Sequence, residues 1–176
     1  DEHVLFSRET FIEFPNIRYS DLSFKKNVQI SDANPQQSEY NWGTSELVNW
    51  TSLDGIELTG MLIKPEDFDP NKKYPMIVNF YERSSNGVYG HRAPSAGRST
   101  INYSWYTSRG YIIFNPDVVY RIGYPGESAF NSVIPGVTSL IEKGFVDKDN
   151  IGVQGHSWGG YQIAYLVTKT DIFKAG

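Results

Sequence analysis

The stretch VQGHSWGGYQ, residues 153–162, places one serine among three glycines where an apolar strand should become a helix. Its centre, Gly155-His156-Ser157-Trp158-Gly159, has the pattern G-x-S-x-G, which predicts a sharp turn that lifts the serine Oγ above the edge of a sheet. Side chains two residues before and after the serine would collide with the strand or the helix, so only small residues fit there. We therefore predict that Ser157 is a nucleophile and that the backbone N–H of Trp158 stabilises an oxyanion, while Gly160 gives the helix room to approach the sheet.

Three near-continuous apolar runs predict strands that are buried on both faces, the pattern of a parallel sheet. They are PMIVNFYE (75–82), GYIIFNPD (110–117) and NIGVQG (150–155). Two further runs, residues 46–52 and 56–65, flank Leu53-Asp54-Gly55 and predict an antiparallel hairpin. An antiparallel start followed by alternating strand and helix indicates an α/β fold with a mostly parallel sheet.

Two helices are predicted between and after these strands. Apolar residues at steps of three and four form the first, and Pro135 within it predicts a kink or a restart, with Gly144 as the stop. The second should begin near Ser157 and end near Thr170. The residues expected to form the apolar stripe of the first helix are Phe130, Val133, Ile134, Val137, Leu140 and Ile141. Those of the second expected to face inward are Ile163, Ala164, Leu166 and Val167.

Residues 1–45 differ from the rest of the chain in their pattern of apolar and polar residues. They contain short extended pieces, HVLFSRET (3–10), IRYSDLS (17–23) and KNVQIS (26–31), separated by Pro15-Asn16 and by the polar residues 31–35. Alternating apolar and polar residues predict antiparallel strands with one face in water. The chain begins with Asp and ends without a closing element, and we expect it to be a piece of a longer protein.

The composition argues against several classes of function. A net charge of −4 gives no electrostatic basis for binding nucleic acid, and no apolar run approaches the length of a membrane span. The absence of cysteine excludes disulfides, thiolate metal sites and cysteine catalysis. His3, His91 and His156 are far apart in the sequence, so we expect neither a zinc cluster nor an organic cofactor.

The chain offers Ser157 no obvious catalytic partners. In α/β-hydrolases the acid and then the histidine follow the serine, but the residues after Ser157 contain one acid, Asp171, and no histidine. His156 is the immediate neighbour of the serine, and adjacent residues on a tight turn point apart. His91 lies upstream in the loop NGVYGHRAPSAGRS, where a catalytic role would need a different chain order, and we expect a surface or loop role for it.

Several segments together resemble the prolyl oligopeptidase family of serine peptidases, particularly its dipeptidyl-peptidase-like and acylaminoacyl-peptidase-like members. The segments are residues 49–82, with a central Asp-Gly and a KYP lead-in, GYPGESAF (123–130) and KGFVDKDNIGVQGHSWGGYQ (143–162). The resemblance covers most of residues 46–176 and implies the amino-terminal half of an α/β-hydrolase catalytic domain. Residues 1–45 resemble, more weakly, the last strands of the β-propeller that precedes this domain in the family.

The resemblance assigns two site residues. Ser157 matches the nucleophile, and Tyr81, at the end of the strand MIVNFYE, matches the tyrosine whose hydroxyl completes the oxyanion hole. A phenol is a suitable neutral donor, although a buried tyrosine at a strand end would have the same appearance. The sequence departs from the family in residues 82–85, Glu-Arg-Ser-Ser, and in residues 120–123, Tyr-Arg-Ile-Gly. Glu82 and Arg83 either bind a peptide terminus or form a solvated charge pair.

These observations predict a serine peptidase that acts on short peptides and needs no metal or organic cofactor. The Asp and His of its triad are expected to come from sequence beyond this chain, so the 176 residues alone should be inactive. Two alternatives remain open, an esterase on the same fold and a non-catalytic binding or assembly module that keeps the turn. An incomplete sheet would leave an unpaired edge strand, which predicts self-association or aggregation of the isolated chain.

Overall fold

The computed structural model describes residues 2–95, 97 and 99–176. These residues form two separate β-sheets, with the helices packed on the larger one. The strands are β1 (His3–Ser7), β2 (Ile17–Asp21), β3 (Asn27–Gln29), β4 (Thr44–Thr51), β5 (Glu57–Lys64), β6 (Tyr74–Asn79), β7 (Ile112–Pro116) and β8 (Val146–Gln154). The α-helices are α1 (Tyr103–Thr107), α2 (Pro125–Glu142) and α3 (Trp158–Leu166), and a 3-10 helix covers Pro35–Glu39.

The smaller sheet consists of β1, β2 and β3 in that order, all antiparallel. The pairing predicted for the extended pieces of residues 1–45 is therefore confirmed. Leu5 pairs with Tyr19, and Tyr19 pairs with Val28, so three apolar side chains lie in one row across the sheet. All three are exposed. This exposed face therefore has an apolar row at its centre, although the alternation in the sequence predicted that polar side chains would face the water.

The larger sheet has five strands in the order β4-β5-β7-β6-β8. β6 is parallel to both β7 and β8, as the buried apolar runs predicted. β5 is antiparallel to both β4 and β7, so it runs against the other four strands of this sheet. The prediction of a mostly parallel sheet that begins with antiparallel strands therefore agrees with the structure. β5 lies between two neighbours and is deeply buried, and an apolar run indicates burial without indicating direction.

The two faces of this sheet carry separate cores. On one face, α2 and α3 cover a cluster that includes Val78, Phe114 and Ile151, each at most 4% exposed. On the other face, α1 and residues of the amino-terminal segment, such as Trp42, cover Met61 and Ile113. Strand side chains alternate between the faces, so residues at the carboxyl ends of β6, β7 and β8 are held from both sides.

α2 continues without a break through Pro135, so the predicted restart is wrong. Proline has no N–H, which frees the carbonyl oxygen of Asn131 four residues earlier. That oxygen accepts a hydrogen bond from the Leu53 N–H at 3.0 Å, in the hairpin between β4 and β5. The helix therefore continues past Pro135 while another segment satisfies the freed acceptor. The predicted stop is confirmed at Gly144, whose φ is 93°.

α3 is shorter than predicted and buries a different stripe. Ile163 and Leu166 face the core as expected, but Ala164 and Val167 are exposed. Gln162 occupies the inward position instead, because a period of 3.6 residues groups positions 159, 162, 163 and 166 on one side. None of the helices in the described part of the chain has the length and hydrophobicity that a membrane crossing requires.

Candidate active site

Ser157 lies exposed at the tip of the turn between β8 and α3. Its φ of 55° and ψ of −111° belong to a region that residues with a side chain rarely adopt. The turn is closed by two backbone hydrogen bonds, from Gly159 N–H to the His156 carbonyl at 2.8 Å and from Tyr161 N–H to the Ser157 carbonyl at 3.1 Å. The backbone therefore holds the serine above the carboxyl end of β8.

Two of the glycines around the serine are required by close contacts. A Cβ on Gly155 would lie 2.7 Å from the Gly159 carbonyl carbon, and one on Gly159 would lie 2.7 Å from the Phe80 carbonyl oxygen. A Cβ on Gly160 would come no closer than 3.6 Å to the Gly155 oxygen, which is ordinary contact. The close approach of helix and sheet therefore depends on Gly159, and the prediction that Gly160 provides it is wrong.

Trp158 is the first residue of α3. The N–H groups of a first helical turn have no acceptor within the helix, so its N–H is suited to an external anion. The indole is partly exposed and stacks on Tyr161, with ring centroids 5.2 Å apart and an angle of 18° between the planes. Its other neighbour is Tyr120, in an edge-to-face arrangement at 6.3 Å.

Tyr81 follows the buried Phe80, two residues after β6 ends, and about half of it is exposed. Its carbonyl oxygen accepts hydrogen bonds from the Tyr120 hydroxyl at 2.7 Å and from Gln162 Nε2 at 3.0 Å. Burial raises the pKa of the Tyr120 hydroxyl, which therefore remains a neutral donor at physiological pH. Tyr81 and His156 line a common cavity of 230 Å³ at the carboxyl end of β6.

The segment after Tyr81 is fastened by Asp117, which directly follows β7. Asp117 Oδ1 accepts hydrogen bonds from the N–H groups of Ser84 at 2.7 Å and Ser85 at 3.0 Å, and Oδ2 accepts one from the Ser85 hydroxyl at 2.5 Å. The Glu82 carbonyl oxygen also accepts from the Val118 N–H at 2.8 Å. The unusual Glu-Arg-Ser-Ser sequence thus forms an ordered turn, with the side chains of Glu82 and Arg83 exposed.

Sequence reasoning missed Asp117, Tyr120 and Gln162 as contributors to this site. A signal existed for Asp117, since acids that directly follow a buried strand lie at the edge where parallel strands end. Gln162 was detectable as the one polar residue within the inward stripe of α3. Nothing in the sequence indicated that the Tyr120 hydroxyl reaches the carbonyl of Tyr81.

The histidines do not form a triad with Ser157 inside the described residues. His91 packs between Phe14 and Trp42, with ring centroids at 5.2 and 5.1 Å, and its Nε2 lies 2.8 Å from Gln37 Oε1. Burial lowers the pKa of His91, so the ring is neutral at pH 7. Asp171 is exposed in the segment after α3. The described residues also contain no cluster of three or more acids or histidines that could hold a metal ion.

Comparison with known sequences finds a family model that matches the carboxyl-terminal part of the chain. The model described as "Prolyl oligopeptidase family" matches residues 98–176. Dipeptidyl peptidase 8 of Homo sapiens is 29% identical over 143 residues, which cover 73% of this chain and 16% of that protein. The uncharacterized peptidase YuxL of Bacillus subtilis (strain 168) is 24% identical over 185 aligned positions, covering 99% of this chain and 28% of the relative. The chain thus spans well under a third of these relatives.

Comparison with solved structures agrees on the fold. Pyrococcus horikoshii acylaminoacyl peptidase superimposes with a TM-score of 0.71 at 23% identity, over 100% of this chain and 29% of that one. A putative dipeptidyl aminopeptidase IV from Bacteroides ovatus ATCC 8483 gives 0.65 at 25% identity, over 98% of this chain and 26% of that one. The larger sheet with its helices therefore has an α/β-hydrolase fold.

Proposed function

We propose that the chain belongs to the prolyl oligopeptidase family and is the amino-terminal half of the catalytic domain of a serine peptidase that hydrolyses short peptides. The observation that carries the proposal is the conformation of Ser157, with φ 55° at an exposed turn between strand and helix. A residue stays in such a conformation only where its surroundings hold it there, and this is typical of functional sites. The family comparison alone would not single out this residue.

In the proposed reaction, Ser157 Oγ attacks the carbonyl carbon of the scissile peptide bond. The Trp158 N–H and the Tyr81 hydroxyl donate hydrogen bonds to the oxygen that becomes negative, and one such donor contributes about 3–4 kcal/mol to transition-state stabilisation. The first donor is fixed by α3. The second is carried by a segment that Asp117 fastens on one side and that the Tyr120 hydroxyl contacts on the other.

The base and acid of the triad are proposed to come from sequence outside these 176 residues. There, a histidine would take the Ser157 proton and give it to the leaving amine, while an aspartate orients the histidine. The engagement of His91 with Phe14, Trp42 and Gln37 supports this, as does the greater length of the relatives. We therefore expect the isolated chain to be inactive and, with sheet edges that the rest of the domain would cover, prone to self-association.

Residues 1–45 are proposed to be the end of a β-propeller, and residues 46–176 the part that belongs to the catalytic domain. The exposed apolar row of Leu5, Tyr19 and Val28 supports this division. A sheet packs such a row against another sheet in a complete domain, and a neighbouring propeller blade would provide it.

The proposal is tested by labelling the full-length parent protein with a fluorophosphonate probe, which reacts with activated serines. We expect the probe to label the wild type and not the Ser157→Ala variant. The control is Ser108→Ala, which changes an exposed serine at the carboxyl-terminal end of α1 and should be labelled like the wild type. Labelling that persists in Ser157→Ala refutes the assignment, and a wild type that does not label indicates a non-catalytic module. Turnover of a peptide amide against a p-nitrophenyl ester then separates a peptidase from an esterase.

A further inference from the structure

Gln162 is a completely buried amide on α3, one turn after Trp158, with 0% of the residue exposed. Its Nε2 lies 3.0 Å from the Tyr81 carbonyl oxygen, 2.9 Å from the Tyr120 hydroxyl oxygen and 3.2 Å from the Trp158 carbonyl oxygen. Three oxygens around one atom identify that atom as the nitrogen, because an amide oxygen there would face two carbonyl oxygens. One amide group thus contacts the backbone of both residues to which the oxyanion donors are assigned.

Tyr120 completes the arrangement. Its hydroxyl donates to the Tyr81 carbonyl oxygen at 2.7 Å and accepts from Gln162 Nε2. The Tyr81 carbonyl therefore receives two hydrogen bonds, one from each of these side chains. Together, Gln162 and Tyr120 connect the segment after β6 with the first turn of α3. Fixing the Tyr81 peptide limits how far its side chain can move relative to the Trp158 N–H.

Stability does not account for an amide at this position. Within the described residues, Gln162 Oε1 is buried and has no hydrogen-bond partner. A buried polar atom without a partner costs free energy of folding, and an apolar side chain of equal length would avoid this cost. The neighbouring inward residues Ile163 and Leu166 are apolar, as the packing of α3 on the sheet requires. The amide is therefore best explained by what its nitrogen holds in place.

We propose that Gln162, acting with Tyr120, is a positioning residue that sets the separation between the Tyr81 hydroxyl and the Trp158 N–H. Gln162 does not touch the reacting atoms. It acts through the backbone of Tyr81 and Trp158, so that both donors are directed at the same oxygen before the substrate arrives. This inference rests on the proposed function, specifically on the oxyanion role of Tyr81.

The main test is Gln162→Met in the full-length parent protein, because methionine matches glutamine in length and flexibility and lacks its donor. We expect the melting temperature to stay equal or rise, since the unpaired Oε1 is removed. KM should stay within about twofold, and kcat should fall about 10-fold. The reason is that the hydrogen bonds of Gln162 position donors that stabilise the transition state more than they stabilise the bound substrate. Tyr120→Phe should reproduce the loss of kcat, and it carries the test if Gln162→Met fails to fold.

Gln37→Met is the matched control. Gln37 Nε2 also donates to a backbone carbonyl, that of Ile12 at 2.7 Å, but outside the proposed site. We expect kcat to be unchanged in this variant. Tyr81→Phe provides the reference, with an expected loss of about 100-fold in kcat. Adding Gln162→Met to Tyr81→Phe should cost only about a further twofold, because most of the effect of Gln162 passes through the Tyr81 hydroxyl.

Two results would overturn the positioning role while leaving the proposed function intact. One is a Gln162→Met enzyme with wild-type kcat beside a Tyr81→Phe enzyme that has lost about 100-fold. The other is a parallel loss of melting temperature and activity in Gln162→Met, which indicates an ordinary structural residue. If Tyr81→Phe retains wild-type kcat, the oxyanion role of Tyr81 is wrong, and the inference about Gln162 is overturned with it.

Discussion

The Phe80 carbonyl oxygen lies 2.7 Å from the point that a Cβ atom on Gly159 would occupy. Phe80 directly precedes Tyr81 in the chain, and Gly159 directly follows Trp158. This contact between the segment after β6 and the first turn of α3 therefore limits how closely the two proposed oxyanion donors approach each other, in addition to the hydrogen bond from Gln162 to the Tyr81 carbonyl. Because no side chain fits into the contact, the distance cannot be kept with any residue other than glycine.

Gly159→Ala is expected to destabilise the protein by about 1–3 kcal/mol, since α3 or the Phe80 carbonyl must move to admit the methyl group. kcat should fall with it, because the movement separates Tyr81 from Trp158. Gly160→Ala is the matched control: its Cβ would meet the Gly155 oxygen at 3.6 Å, and alanine is a better helix former by about 0.5–1 kcal/mol. Denaturant unfolding and peptide turnover measure both effects. Equal losses in the two variants would contradict the contact.

Substitutions at Ser157 should measure the free-energy cost of its backbone conformation. Its φ of 55° and ψ of −111° are unfavourable for a residue with a Cβ and open to glycine. We expect Ser157→Gly to be more stable than Ser157→Ala by about 1 kcal/mol, measured by denaturant unfolding, although both variants lose turnover. If alanine is the more stable of the two, the turn is not strained at this position, and the argument from its conformation loses its basis.

The sequence was sufficient to predict the turn that carries Ser157 and the strands at whose carboxyl ends it lies. Gly155 and Gly159 mark contacts that only glycine permits, and the apolar runs of β6, β7 and β8 indicate burial on both faces. The position of β5 within the sheet was not accessible in the same way. The Asp-Gly turn indicates its antiparallel pairing with β4, but its second antiparallel pairing, with β7, depends on the course of the chain between them.

The partners of the polar residues that hold the site together were also not accessible from the sequence, even where the residues themselves carried a signal. Asp117 accepts from Ser84 and Ser85, about thirty residues earlier, and Gln162 on α3 donates to the carbonyl of Tyr81, in the segment that follows β6. Local patterns report periodicity and burial, whereas a hydrogen bond between distant segments depends on tertiary geometry. The same reason explains why α2 passes through Pro135: its freed acceptor is used by the Leu53 N–H.

Asp117 is expected to be essential for the ordered conformation of the segment after Tyr81. Asp117→Ala removes the acceptor of the Ser84 and Ser85 N–H groups, and we expect it to cost about 2–4 kcal/mol of stability together with a loss of kcat. Asp117→Asn keeps one oxygen in place and should cost less than half of this. Asp54→Ala is the control, since Asp54 is exposed, accepts from the Asn131 side chain and should change stability by less than about 1 kcal/mol. Comparable losses for Asp117 and Asp54 would contradict the role.

His91 should make stability depend on pH. Burial between Phe14 and Trp42 lowers the pKa of the ring, while Glu9 acts weakly in the opposite direction. In the unfolded chain the pKa returns to about 6.5, so below that pH the unfolded state binds more protons than the folded state. Stability must therefore fall as the pH drops through this range, and it is fully retained above it.

We expect His91→Phe to remove this part of the pH dependence, because phenylalanine keeps the aromatic packing on Trp42 and does not titrate. The measurement is the free energy of unfolding of both proteins at pH 8 and pH 5. Contributions from carboxylates are common to the two proteins and cancel in the comparison, so the wild type should lose more stability than the variant. Equal losses would mean that His91 has the same pKa in the folded and unfolded chains. The packing of His91 against Phe14 and Trp42 would then not depend on the neutral form of the ring.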